Sequence, residues 1–419
     1  MKTNRWIIAF AGVLLQFVLG AVYAWSVFRI PLMKQSGWSI SQVTFTFTIS
    51  ILVLSFTAFF GRLWLNRQGP RVVALTGGLL YGLGVFLASF SDHKLWWLYL
   101  SYGVIGGVGM GLSSIVPVDV LLKWFPDRRG LITVIVGGCF GAGTLVTATV
   151  ATRLIQQVGV LQTFAYLGIA YLLVAVTGGL FMRNPPSEWQ PEGRNSLPAH
   201  SKQNAGEEYT LGQALSTWQW WALWLLLFLN TSAGISVLSD EAPLFQETAL
   251  VSASPAAAIM GIASAGNAFG RLFWVWASGV LTREQTFLAM FLAQDILFWR
   301  FPFTHSASAL TVVAFLILMC YGGGLSIMPA VASEYFGLRN IGPVYGLMLT
   351  AWGFGSVVGP LLIAAMRQAS GGYRSGLHTI ALIMAVSVLL PVFVSPPKKR
   401  DSHDKTEELI SHSPNTAAA

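Results

Sequence analysis

One arginine stands inside an otherwise apolar, helix-like run, "GNAFGRLFWVW" from Gly266 to Trp276. A charge at the centre of a membrane-spanning helix costs about 2.5–3.5 kcal/mol on insertion scales, so such a residue normally faces a cavity and a counter-charge. No acid of the same run lies three or four residues from Arg271. If no carboxylate of the protein meets it, the chemistry it offers is recognition of a substrate anion, because a planar guanidinium donates two parallel hydrogen bonds to a carboxylate.

Other polar residues in apolar runs carry two readings each. Asp119, in "VPVDVLLKWF", could take up a proton, or could pair with Lys123 four residues on, a stabilising helical spacing. Asp295 could be a proton site or a polar helix contact. Asn230 and Asn267 could offer amide donors to a carboxylate or bond between helices. Asp240 and Glu241 read as ordinary solvated acids closing their span at the outer surface. No Ser/His/Asp, Cys/His or paired-carboxylate arrangement emerges for catalysis. The six histidines lack metal-ligand spacing. "GGCFGAG" at Gly137–Gly143 is not a phosphate loop, because it lies within an apolar run and no Lys-Ser/Thr follows. No enzyme activity, cofactor or metal is expected.

The elements that must position these residues are membrane spans. Of 419 residues, 54% are hydrophobic and 10% charged, with a mean hydropathy of +0.63. Apolar runs of about 20 residues, enough to cross a bilayer, recur along nearly the whole chain. Twelve have cores near 6–28, 41–64, 72–90, 96–120, 131–154, 163–183, 218–238, 255–281, 285–301, 308–331, 342–366 and 376–395. The ninth is the weakest, interrupted by Gln294 and Asp295. The first has no small-residue cleavage site and reads as a retained span.

With both termini in the cytoplasm, seventeen of the 25 Lys and Arg fall inside. Seven, Arg29 among them, fall outside, which fits the positive-inside rule. The net charge of +8 therefore reports topology. It does not indicate nucleic acid, because the basic residues sit in short loops and form no basic domain. Cys139 and Cys320 lie in apolar runs and read as free thiols.

The organisation is a repeat. Pro185-Pro186 of "RNPPSEW" recurs as Pro396-Pro397 of "VSPPKKR", an offset of 211, and Pro117 recurs as Pro329 at 212. Two six-span bundles, 1–185 and 218–397, flank a polar linker at 186–217, and a disordered cytoplasmic tail follows at 398–419. Such halves around a central site mark transporters. "FGRL" also occurs twice, at Phe60–Leu63 and Phe269–Leu272, but 209 residues apart. Arg271 thus sits about one helical turn deeper than Arg62, which can reach the headgroups by snorkelling. Gly103, Gly107 and Gly111, with the glycines of "GGCFGAG", open small faces that let helices approach and slide.

Several motifs carry a resemblance. "NRWIIAFAGVLLQFVLGAVYAWSVF", "GRLWLNRQGPR", "KWFPDRRGL", "RNPPSEW", "NAFGRLFW" and "FGLRNIGPVYG" together resemble the oxalate:formate antiporter family of the major facilitator superfamily, with likeness to monocarboxylate transporters, over residues 4–397. "KWFPDRRG" with "NAFGRLFW" is fairly specific for this branch. The resemblance implies an all-α fold of twelve transmembrane helices in two bundles that rock about a midplane site, with small carboxylates as substrates. It places the family's carboxylate-binding arginine on Arg271 and a site-lining tyrosine on Tyr23. An aromatic of the tenth helix falls on Tyr321, where the oxalate transporter has tryptophan. That transporter's second cation, a lysine, falls on Trp352. One arginine with aromatic walls suits a monoanion, because a second carboxylate would remain unpaired in a low-dielectric cavity.

The superfamily's gate acids are also missing: their positions are Asn66 and Gly279. The gating group expected here is therefore Arg62, Asn66, Arg67, Arg71, Arg128 and Arg129. The resulting expectation is a monomeric, multi-pass secondary transporter of the plasma or inner membrane. It would move a small carboxylate by exchange or proton symport. The alternatives are a non-transporting carboxylate sensor and an efflux transporter of another metabolite or drug.

Overall fold

The computed structural model describes residues 4–186, 208–337 and 340–397. The tail at 398–419 and most of the linker lie outside the described residues. Among those residues the chain is helical, in twelve long segments: α1 (Arg5–Ser36), α2 (Ile40–Gln68), α3 (Pro70–Phe90), α4 (Leu95–Trp124), α5 (Arg129–Val158), α6 (Val160–Phe181), α7 (Trp218–Thr248), α8 (Ala253–Ala277), α9 (Arg283–Arg300), α10 (Ala307–Phe336), α11 (Ile341–Ser370) and α12 (Arg374–Phe393). Ten spans among the described residues are long and apolar enough to cross a membrane. The two that fall short of that measure are α8, which carries Arg271, and α9, which carries Gln294 and Asp295. The outer surface of the bundles is apolar: Leu173, Ile262 and Val386 are exposed, as lipid-facing residues should be.

Local chemistry sets the ends of these helices. Ser39 and Gln42 form a capping box that starts α2, and Thr282 and Gln285 form one that starts α9, each satisfying two of the first backbone donors. Gly69, at φ +81°, stops α2 in a conformation that side chains disfavour. Pro70 then opens α3 where its missing N–H costs nothing.

The glycine-rich face of α4 does pack tightly, but within the first bundle. A Cβ at Gly107 would lie 2.8 Å from Ser50 O, and one at Gly111 would lie 2.6 Å from Leu54 O, both on α2. These glycines thus bring α4 against α2 within one bundle and do not face the second bundle. Gly143 and Gly20 similarly bring α5 against α1.

The linker boundary also moves. Tyr209 is buried, receives a bond from Asn340 Nδ2 at 2.9 Å and donates its hydroxyl to Pro397 O at 3.2 Å. Its amide donates to Phe336 O. Residues 208–217, with a short helix at Leu211–Leu215, therefore belong to the second bundle and not to a free connector.

Both described chain ends lie at one face of the molecule, called here the terminal face; the opposite one is the far face. Apolar packing joins the bundles unevenly. A single cluster runs from Val22, Trp25 and Phe47 of the first bundle into Tyr321 and the rest of the second. The part of the first bundle nearest the terminal face, including Ile8, Val116 and Trp124, forms a separate cluster.

Candidate functional site

The residues proposed from the sequence meet between the bundles. Tyr23 lies in a 3₁₀ stretch, Gly20–Trp25, that interrupts α1; such tightened turns inside longer helices often mark working positions. Its hydroxyl is 2.9 Å from that of Tyr321 on α10, so the two bundles touch through a phenol pair. Trp352 Nε1 on α11 donates to the same Tyr321 hydroxyl at 2.9 Å. The Tyr23 ring meets Phe140 edge to face, with centroids 5.2 Å apart. Tyr321 is held from behind by Gly234 of α7, where any side chain would collide with its ring.

Arg271 is half-buried on α8. Its guanidinium acts electrostatically on three phenols: Tyr23, Tyr321 and Tyr345. Among the described residues none of the eight ion pairs includes it. A positive charge, three phenols and an indole thus gather with no carboxylate among them. Tyr345 was not singled out from the sequence, although its spacing of seven from Trp352 puts both on one face of α11.

The two asparagines lie on helices beside this group, Asn230 on α7 and Asn267 on α8. Asn230 is fully buried, and its Nδ2 donates to Tyr321 O at 3.2 Å. One of its two amide donors thus ties α10 to α7, the interhelical role read from the sequence as the alternative to substrate binding. Asn267 lies one helical turn before Arg271, packed against Gly322 of α10. Its Oδ1 has no partner among the described residues; the same amide also carries two N–H donors.

Asp119 is paired. Lys123 Nζ lies at 2.5 Å and Arg62 at 3.8 Å, so the second reading of that residue describes its position. These three side chains help line a cavity of about 730 Å³ at the terminal side of the first bundle, with Pro126, Pro185 and Pro186. Arg271 is not part of its wall.

Among the described residues the gating group does not join the bundles. Arg62 pairs with Asp119, and Arg128 pairs with Asp127 at 3.6 Å, both within the first bundle. Asn66, Arg67 and Arg71 are exposed, and none has a hydrogen bond or ion pair to the second bundle among the described residues. The side chain of Arg129 lies outside the described residues. On the second bundle, Arg283 pairs with Glu334 at 2.6 Å. Every ion pair described at the terminal face thus stays within its own half.

The far face is bonded across. Arg29 of α1, 1% exposed, forms an ion pair with Asp240 of α7, 0% exposed. Tyr373 donates to Asp240 Oδ1 at 3.2 Å, and Ser239 donates to Oδ2 at 2.8 Å. Ser26 Oγ accepts from the Ala242 amide at 3.4 Å and reaches Met260 Sδ at 2.9 Å. Ser41 donates to Gln368 at 3.0 Å. The reading of Asp240 and Glu241 as solvated loop acids is therefore wrong, and Arg29, expected on the outer side, is buried between the bundles. Helix α7 runs on to Thr248, which buries both acids two turns inside its end. Sequence reading stopped that span near residue 238 because charges ended the apolar run. The usable signal was Arg29 itself, a second arginine close to an apolar run in the matching first helix.

Comparison with known proteins fits this architecture. The Major Facilitator Superfamily profile matches residues 6–317 and 251–417. An uncharacterized MFS-type transporter, YhjX, of Escherichia coli K12 is 29% identical over 85% of this chain and 87% of its own. The oxalate:formate antiporter of Oxalobacter formigenes is 25% identical over 98% of this chain and 97% of its own. Among solved structures, a D-xylose–proton symporter superimposes with a TM-score of 0.68 at 15% identity, covering 94% of this chain and 99% of that one.

Proposed function

The chain belongs to the Major Facilitator Superfamily, a family of membrane-spanning secondary transporters, and from that premise we propose that it carries a small monocarboxylate by alternating access. The observation behind this reading is Arg271: a guanidinium within a span, half-buried, among phenols and an indole, without a carboxylate of the protein among the described residues. A charge so placed is stabilised when an anion arrives. The carboxylate would take the two parallel donors of Arg271, with Tyr23 and Tyr321 offering hydroxyls beside it. The printed substrates of the Oxalobacter relative, oxalate and formate, support the carboxylate class. The lone cation favours a single negative charge.

In this reading the terminal face is cytoplasmic, which the distribution of Lys and Arg supports. The bonded far face is then the closed outer gate. Alternating access asks the Arg29–Asp240 pair and the Tyr23–Tyr321 contact to part when the outer side opens.

Counterflow in proteoliposomes tests the proposal. Labelled formate, lactate or pyruvate should accumulate against the same unlabelled acid inside, and Arg271→Gln should abolish it. Accumulation that survives Arg271→Gln, or appears only with neutral or cationic cargo, sinks the carboxylate reading. Binding without counterflow would instead indicate a sensor.

A further inference from the structure

Glu241 directly follows the acid that latches the outer gate, yet it has no part in the latch. It is 0% exposed, and both carboxyl oxygens lack a hydrogen-bond partner among the described residues. Its neighbours at helical spacing on α7, Val237, Leu238, Leu244 and Phe245, are all buried and apolar. An ionised carboxyl without partners in such surroundings costs several kcal/mol or more, and the group neutralises instead.

The charged and titratable groups of the adjoining elements are engaged or directed elsewhere. On α1, Arg29 pairs with Asp240, while Lys34 borders a 280 Å³ outer cavity whose wall does not include Glu241. Arg367 of α11 pairs with Glu247. Tyr373 bonds to Asp240, and the His378 ring of α12 lies against Trp299. The outer half of α10, from Ala307 to Met319, contains no acid or base, and α8 has Arg271 as its only ionisable side chain. Among the described residues no ion pair includes Glu241.

The two residues that bracket Glu241 both hold the first bundle: Asp240 through Arg29, and Ala242 through Ser26. Opening the outer gate breaks both contacts, so water reaches this turn of α7 when the bundles separate. We propose that Glu241 is a proton-binding site: its carboxylate, hydrated and ionised when the outer gate is open, takes one proton from the outer medium as the gate closes. The closed state holds Glu241 as the neutral acid, and opening returns the proton.

The sign follows from linkage. The closed state binds one more proton than the open state, so rising pH favours opening, by at most tenfold in the closed-to-open ratio per pH unit for one proton. Protonation of Asp240, which would release Arg29, or of His378 on opening gives the opposite sign.

The inference rests on the carrier reading only for the existence of an outer gate, and its measurement needs no substrate. A carboxylate panel that fails to bind would count against the proposed cargo and leave this test intact. Spin labels at positions 41 and 368, which face each other across the outer interface, report the gate by pulsed-EPR distance in a Cys139→Ala background. With wild-type Glu241 the short, closed distance should lose population as pH rises. In Glu241→Gln it should persist at every pH, with Glu241→Met serving in its place if the amide variant does not fold. A distance distribution independent of pH with wild-type Glu241, an unchanged pH response in the variants, or opening favoured by acid would each overturn the proposal.

Discussion

Arg29 and Arg271 are the same residue type, each within a long helix of the bundle, and they meet opposite surroundings. Arg29 is 1% exposed and already clasped by Asp240, with Tyr373 and Ser239 completing the acid's hydrogen bonds. Arg271 is half-buried and faces phenols, without an acid of the protein among the described residues. A buried charge met by its own chain is finished as chemistry and serves as a fastener; one left unmet can still be stabilised by something from outside. The cost of burying a cation is common to both. What differs is which molecule supplies the anion.

The comparison breaks most plainly at Arg271. Arg271→Gln removes two charge-assisted hydrogen bonds, each worth about 1.5–3 kcal/mol, so carboxylate transport should fall by about 100-fold or more; initial uptake rates in proteoliposomes measure it. A variant that transports normally would put Arg271 in the same class as Arg29.

At the latch, Asp240→Asn leaves Arg29 buried and uncompensated, a loss of about 3–5 kcal/mol for a fully enclosed pair. It should lower thermal stability or shift the Ser41–Gln368 spacing toward the open form, while purified protein still binds carboxylate. Replacing both partners, Arg29→Leu with Asp240→Leu, should recover most of the stability, because two apolar side chains leave no orphan charge. Loss of carboxylate binding in Asp240→Asn that the spacing does not explain would erase the distinction between fastener and site.

Trp352→Phe keeps an aromatic wall but deletes the donor to Tyr321. With a typical hydrogen bond worth about 1 kcal/mol, affinity should weaken about fivefold, read by titration of the purified protein. The smallest effect is expected at Asp119→Asn. Its pair with Lys123 is near the surface, with side-chain exposures of 45% and 13%, and such pairs contribute about 0–1 kcal/mol. Transport should stay within about fivefold of wild type at all pH values, and a lost proton dependence would give Asp119 the other role read from the sequence.

Much of this was legible before any coordinates, and the residues show why. Ten of the spans follow from apolar run length, since a bilayer demands about 20 residues of hydrocarbon-compatible helix, while α8 and α9 are diluted by Arg271 and by Gln294 and Asp295. Arg271 stood out because a lone cation in such a run has few explanations. Tyr23, Tyr321 and Trp352 came from the motif resemblance, and the structure brings them together at hydrogen-bond distance. The latch was not legible. Arg29 and Asp240 lie 211 residues apart, at the repeat offset, yet each stands just beyond the end of an apolar run, and no local pattern pairs charges across two bundles. Tyr345 was missed for a related reason: a tyrosine in an apolar helix has a structural explanation until a charge is placed beside it.

The 3₁₀ stretch at Gly20–Trp25 has a mechanical meaning. It joins the part of α1 that begins at Arg5 to the part that carries Arg29. Six residues wound at three per turn are about 3 Å longer than the same six wound as α-helix, and they end about 120° further round. Tightening or relaxing that short thread would turn the upper rod like a key, swinging Tyr23 away from its partner and drawing Arg29 out of its clasp in one motion. In the carrier reading the first helix would gear the proposed cargo site to the proposed outer gate, with no long relay of side chains between them.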